Sequence, residues 1–480
     1  MKRPLLGRPV SSPGQATQGA GERGVTIALV ALAIVAIMAM AALSVDVVTL
    51  YLANAEAQRS ADAAALAAAR ILSISGMTGD PANSGGHWAN ACTAAAQVAT
   101  AVAKQNRVGS AAGIVTVSFP NNSDTTACTG TTAAFGVNPL VTVQVQRTNL
   151  PTFFARIWGH RGATVGATAT AEAFNSANSG SVNAGSAGTV IPVQPRCVKP
   201  LIVPNFDPGN AGICTGPGSC NLLVNNSNGS ISNPGIMVNN AGAGVIGRTF
   251  NLFAGCSNNN EPCVAIPPVA NYGGTVEGSL VPVTTPNLEY FPGDVPSTST
   301  AVPSCATATA YEEAVGGCDQ NTIYQCGVPS ASAASPNTIE LAENPGGVSG
   351  DTSTAVQCLV HQKTINLVDG QDVLDTSAYP YKIKAGTANP LGVAGSTVIT
   401  SSNSIVSLPI YDSSVPLTFT GTQADVTIVG FLQVFINQVN SDGSVNVTII
   451  NVTGCGNGTN PTGTAITGTS SVPVRLITYP

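Results

Sequence analysis

Charge is scarce in this 480-residue chain. Asp, Glu, Lys and Arg together make up 9% of it, against about 25% in an ordinary soluble domain. A surface with so few charges must draw its polarity from hydroxyls and amides. No Lys/Arg cluster occurs beyond residue 23, and a net charge of −6 offers no basic face for nucleic acid. Histidine is nearly missing: His87, His160 and His361 stand apart, and no H-E-x-x-H pair exists. There is no G-x-S-x-G elbow and no P-loop, so nucleophilic hydrolases and P-loop nucleotide enzymes find no support. The absence of any C-x-x-C pair removes the usual ligands of zinc ribbons and the thioredoxin-like redox motif. Glu312-Glu313 is an acid pair on a polar stretch, which reads as solvated surface, and His361 in CLVHQK has no partner that would make it a base. No catalytic residue, cofactor-binding residue or metal ligand emerges, and the chain reads as non-enzymatic.

What the chain does have is an uncharged apolar run, GVTIALVALAIVAIMAMAALSV, over residues 24–45. These 22 residues span about 33 Å as a helix, enough to cross a hydrocarbon core. Before the run lie Lys2, Arg3, Arg8 and Arg23 against Glu22; soon after it come Asp46, Glu56 and Asp62 against Arg59 and Arg70. That bias keeps residues 1–23 in the cytoplasm and exports everything after about residue 46. A cleaved signal peptide is the alternative, with Ala39-Met40-Ala41 as its site. Two features oppose it. The run exceeds the ~7–15 residues of an h-region, and the sequence continues as helix through DVVTLYLANAEAQRSADAAALAAAR without Pro or Gly.

In that continuation Val47, Leu50, Asn54, Ala57, Ala61, Ala64, Ala68 and Ile71 recur at alternating spacings of three and four, a heptad seam. Alanine at most positions permits close helix approach. The seam suits another helix of the same kind, or the chain's own next domain. Glu56/Arg59 and Arg59/Asp62 are expected ion pairs on the wet side.

Beyond a turn-rich break at 73–86, residues 87–108 read as a helix with Trp88, Ala91, Ala95, Val98 and Val102 on one face. IVTVSF (114–119), PLVTVQVQR (139–147) and ATVGATATAEA (163–173) alternate as half-buried strands, and LPTFFARIW (150–158) reads as a short helix. Residues 46–175 thus make a small α+β domain behind a long helix.

The residues now carry a resemblance. Arg23-Gly24, the apolar span, and SVDVVTLYLANAEAQRSADAAALAAA (44–69) resemble the N-terminal module of the TadE/TadG-like Flp (tight adherence) pilus-assembly proteins, as does PTFFARIWG before a Val/Ala/Thr strand. Val48 stands where Gly is common and Ala57 where Leu is common. The resemblance implies an assembly component of a thin type IV-like pilus, set in a bacterial inner membrane as a single-pass protein with its C-terminal region in the periplasm. Its implied partners are membrane lipid and other pilus-assembly or pseudopilin proteins, met through the N-terminal helix. Prepilin processing sites resemble Gly with a Glu at the fifth mature position inside the apolar run. Here Glu22 precedes the run and no acid lies within it, which favours a permanent anchor. Some TadG-like proteins carry a D-x-S-x-S metal site. Asp351-Thr352-Ser353-Thr354-Ala355 comes nearest but lacks the last hydroxyl, so the oxygen ring is incomplete.

Residues 176–195 read as a small, polar linker, and 196–480 as a Cys-rich, β-rich exported domain. Within it, 425–439 and 444–452 make a hairpin around Asn440-Ser441-Asp442-Gly443, and VPVRLI is one more strand. All twelve cysteines follow the span, an even number suited to disulfides in an oxidising compartment such as the periplasm. Cys214 and Cys220, and Cys256 and Cys263, are close enough in sequence to staple loops, though connectivity stays open. Two other classes fit parts of the chain. One is an exported adhesin or glycan-binding protein. The other is a eukaryotic type II glycoprotein, with sequons at Asn225, Asn228, Asn446, Asn451 and Asn457, which the pilus-like N-terminus opposes.

Overall fold

The computed structural model describes residues 20–76, 87–120, 128, 139–159, 162–173, 179–180, 190–191, 197–209, 221–226, 231–233, 235–254, 287–296, 301, 305, 309–319, 322, 324, 337–341, 351–415, 417, 420–454 and 474–477. Helix α1 runs Ala20–Ile74, 55 residues. Between Val25 and Ile74 it has neither Pro nor Gly, so nothing in the backbone breaks it. It stops where Gly76 takes a left-handed φ of 74°, the usual means of ending a helix.

Helix α2 (Trp88–Gln105) lies on the second half of α1, and Ser60 Oγ donates to Ala103 O at 3.1 Å. Its buried face is Trp88, Ala91, Cys92, Ala95, Ala99 and Ala103. The expected Val98 and Val102 are only half-buried. The helix turns its alanines rather than its valines inward because the facing side of α1 is itself alanine, and two small surfaces approach most closely.

Strands β1 (Ile114–Ser118), β2 (Leu140–Leu150) and β3 (Ala163–Ala173) pair antiparallel in the order β1-β2-β3. One face presents Val141, Val143 and Val145 with Ala167, Ala169, Ala171 and Ala173 to the helices. Residues 150–158 differ from the expected short helix. β2 runs on to Leu150, and only Ala155–Trp158 is helical, as a single 3-10 turn closed by Gly159 at φ 88°. Four residues are too few for an α-turn to propagate.

The two-residue strands β4 (Ser179–Gly180) and β5 (Val190–Ile191) pair antiparallel within the segment read as a linker. The C-terminal region holds a closed barrel. Its strands β6 (Leu201–Pro204), β7 (Thr249–Ala254), β8 (Asn287–Pro292), β13 (Ile405–Tyr411), β15 (Ile428–Val439) and β16 (Val445–Gly454) follow the order β13-β15-β16-β7-β8-β6. The β7/β8 and β13/β6 pairs are parallel and the others antiparallel. Closure leaves no free edge. The β15–β16 hairpin turns where the sequence places it: Gly443 has φ 80°, and Asp442 Oδ1 accepts from the Ser444 backbone N–H at 3.0 Å.

Smaller elements cover the barrel. Helix α3 (Ala310–Gly316) packs on α4 (Asp351–Val360), where Tyr311 and Thr352 share a 3.0 Å hydrogen bond. Strand β9 (Thr338–Glu340) pairs with β14 (Gln423–Asp425). Strands β10 (Val373–Asp375), β11 (Lys382–Lys384) and β12 (Val398–Ile399) form a three-stranded sheet.

Strand β17 (Val474–Ile477) is the VPVRLI strand, and it does not join the barrel. It returns to pair antiparallel with β3, with Arg475 opposite Glu172. The apolar core also crosses from one region to the other. The alanines of α1 share a cluster with Ile383, Ala385, Ile399, Ile405, Phe435 and Ile450. The end of α1 is held from the barrel side: Tyr379 Oη donates to Ser75 O at 2.9 Å, and the Tyr379 ring lies 4.4 Å from that of His87.

Candidate functional site

Two segments of α1 behave oppositely. From Val25 to Met38 every residue is exposed, and the most apolar stretch of the helix packs against nothing in the protein. A helix apolar on all sides and unburied matches a membrane span in length and composition. From Ala53 onward one stripe is buried, through Ala57, Ser60, Ala61, Ala64, Ala65, Ala68, Ala69, Ile71 and Leu72.

The seam residues divide along this line. Ala57, Ala61, Ala64, Ala68 and Ile71 are buried in the core that α1 shares with α2 and the β1–β3 sheet. Leu50 is half-buried, while Val47 and Asn54 are exposed. The chain's own domain therefore occupies the alanine half, and the upstream half stays open. The expected Glu56/Arg59 and Arg59/Asp62 ion pairs do not form. The Glu56 carboxylate instead accepts from Gly109 N–H at 2.7 Å, and Asp62 Oδ1 accepts from Gln58 Nε2 at 2.7 Å. A nearby backbone N–H in fixed geometry outcompetes a mobile Arg in water.

Asp46 marks the junction between the two segments. It is the first charged residue after the apolar run, and it is buried. Its Oδ1 accepts from Phe153 N–H at 2.8 Å, and its Oδ2 from Phe154 N–H at 3.0 Å and Ala155 N–H at 2.6 Å. These are the orphan donors at the start of the 3-10 turn, which a carboxylate satisfies well. Burial pushes the carboxyl up, but the three donors outweigh it and hold Asp46 below its ordinary range. The sequence pattern contains Val45-Asp46 and PTFF without showing that one grips the other. The available signal was an acid at the first position past an uncharged span.

Other candidates resolve into structural roles. Glu312 belongs to a capping box: its carboxylate accepts from Thr309 N–H at 3.0 Å while Thr309 Oγ1 accepts from Glu312 N–H at 3.1 Å. Asp351 to Ala355 form the first turn of α4, with Thr352 and Ser353 buried. His361 Nε2 lies 3.2 Å from Asn403 Nδ2, and burial pushes His87 below its usual value. His160 lies outside the described residues. Among the described residues no group of three or more His, Cys, Asp or Glu is placed to hold a metal. Two sequons sit in barrel strand β16, and Asn451 is fully buried there, closed to a glycan.

Three disulfides are described: Cys92–Cys128, Cys197–Cys318 and Cys305–Cys358. Each joins partners far apart in sequence, by 36, 121 and 53 residues. Cys214, Cys220, Cys256 and Cys263 lie outside the described residues. Beside the second bridge, Lys199 is buried and donates to Gly317 O.

No curated protein and no solved structure matches the chain. The model of one family, described as putative Flp pilus-assembly TadE/G-like, matches residues 24–70. That interval takes in the exposed apolar run, Asp46 and the buried alanine stripe, the three features that distinguish α1. Over residues 24–70 the chain is therefore similar to the TadE/G-like family of putative Flp pilus-assembly proteins.

Proposed function

We propose that this chain is a structural, non-catalytic component of a Flp-type pilus or its associated secretion apparatus, held in the bacterial inner membrane by the first part of α1 with its bulk in the periplasm. The observation that carries the reading is the family match over 24–70. The exposed apolar stretch of α1 supports the anchor, and the Lys/Arg excess before it supports a cytoplasmic N-terminus. Disulfides among the described residues favour an oxidising compartment. The open half of the seam, with Val47 and Asn54 exposed, is the face available to other pilus-assembly or pseudopilin helices. In this reading the region after residue 46 is one body, an α+β module and a barrel carried together on the anchor.

Two experiments test it. An alkaline phosphatase fused after Pro480 is active if the C-terminal region is exported, and an inactive fusion rules the orientation out. Deletion of the gene abolishes or reduces pili and surface adherence; a strain with both unchanged has no need of this protein for assembly.

A further inference from the structure

A second contact with the membrane follows from the position of the Asp46 clamp, given the anchored reading above. Asp46 comes one residue after the uncharged run of 24–45, so it lies about 1.5 Å along the axis from the end of the span. Whatever it grips is held at the lipid–water boundary. It grips the backbone of Phe153, Phe154 and Ala155. Both phenylalanines keep exposed surface beside this grip. Phe153 is 61% exposed and Phe154 38%.

The surroundings of this loop share that character. On α1, Val47, Val48, Tyr51 and Leu52 are all exposed, so apolar surface continues past Asp46 for nearly two turns. Arg156 follows on the 3-10 turn and is also exposed. Aromatic rings beside a cation, at the level where a span leaves the hydrocarbon, are what an interfacial anchor uses: rings enter the headgroup layer while the guanidinium meets phosphate. Two exposed phenylalanines facing water would carry an unfavourable hydration cost with no return.

We propose that residues 151–156 form a membrane-interface foot, in which Phe153 and Phe154 insert into the headgroup region and Arg156 meets lipid phosphate, with Asp46 fixing the foot to the anchor helix. The foot adds a second point of attachment beside a single span. It sets the tilt of the rigid part of α1, and hence the height at which the barrel stands above the bilayer. From Asp46 to Ile74, where the barrel docks, the helix extends about 42 Å.

Site-specific photo-crosslinking tests this in the full chain in native membranes. Benzoylphenylalanine is placed singly at Phe153, at Ile34 in the span, and at Val398 on the exposed side of the β10–β12 sheet. The expected result is a phospholipid mass adduct at Ile34 and at Phe153 and none at Val398. An adduct at Ile34 without one at Phe153 overturns the foot while leaving the anchor intact. A protein adduct at Phe153 in place of lipid also overturns it and marks the loop as a docking face for a partner. Absence of a lipid adduct at Ile34 removes the anchored reading and the foot with it.

Discussion

At the residue scale, burial at Lys199 and backbone conformation at Gly76 each carry a measurable consequence. Lys199 is an ammonium without water around it, and burial pushes it down to about 7, with the Asp319 charge opposing. In the unfolded chain the same group holds its proton to ~10.4. Between about 7 and 10 the unfolded state therefore binds more protons, so stability rises with pH over that window and is lowest below it. Lys199→Met is expected to flatten the rise, measured as the urea midpoint from neutral to alkaline pH; an unchanged slope assigns the rise to another group. Gly76 is constrained by both backbone and neighbours. It holds a φ of +74°, and a Cβ there would meet Ile246 Cγ2 at 3.0 Å. Gly76→Ala should cost about 1–2 kcal/mol for the left-handed conformation, read as a lower denaturation midpoint. Neither effect is visible in the sequence, because a lysine in CVKP and a glycine in SISG look like ordinary surface and turn residues.

At the element scale, the long helix and the strands of the first module were legible. Alternation in 163–173 predicts β3 at its observed bounds, and the continuous run from Val25 to Ile74 follows from the lack of Pro and Gly. The pairing of the last strand was not legible. VPVRLI shows that a strand forms there but not which edge it joins, and the choice rests on Arg475 meeting Glu172 across the ladder. Arg475 Nε lies 2.8 Å from a Glu172 carboxylate whose side chain has no exposure, while Arg475 itself is 26% exposed. Removing one partner of a buried pair is strongly destabilising, and the partial exposure of Arg475 moderates the effect. Arg475→Ala is expected to cost about 2–3 kcal/mol and to raise hydrogen exchange in β3. If β3 protection stays unchanged, the strand is not held by this pair. The short helix expected at 150–158 shows the converse. Helix is confined there to Ala155–Trp158 because β2 runs on to Leu150, and the orphan donors at its start are capped by Asp46, on an element more than 100 residues away.

At the scale of the whole molecule, a shared core and a returning strand join what composition divides, while each described disulfide lies within one region. A linker-like segment at 176–195 suggests two independent units, yet β17 and the cluster around Ile383, Phe435 and Ile450 tie them together. Cys305–Cys358 closes 53 residues around α3 and α4, and its loss should cost about 4 kcal/mol through the unfolded chain's regained entropy. Replacing both cysteines with serine is expected to lower the thermal midpoint of the full chain in detergent, without altering the topology reporter. An unchanged midpoint shows that the bridge constrains little. The sequence by itself determined the uncharged apolar run, the charge of its flanks, the likeness of residues 24–70 to a Flp pilus-assembly family and the β-rich class of the rest. Each is a local pattern of hydrophobicity, charge or periodicity, written within a single helix or the length of a strand. Only the tertiary structure decided which half of the seam is filled, what Asp46 holds, which cysteines meet and where the last strand returns. Those outcomes depend on residues tens to hundreds of positions apart meeting at hydrogen-bond distance.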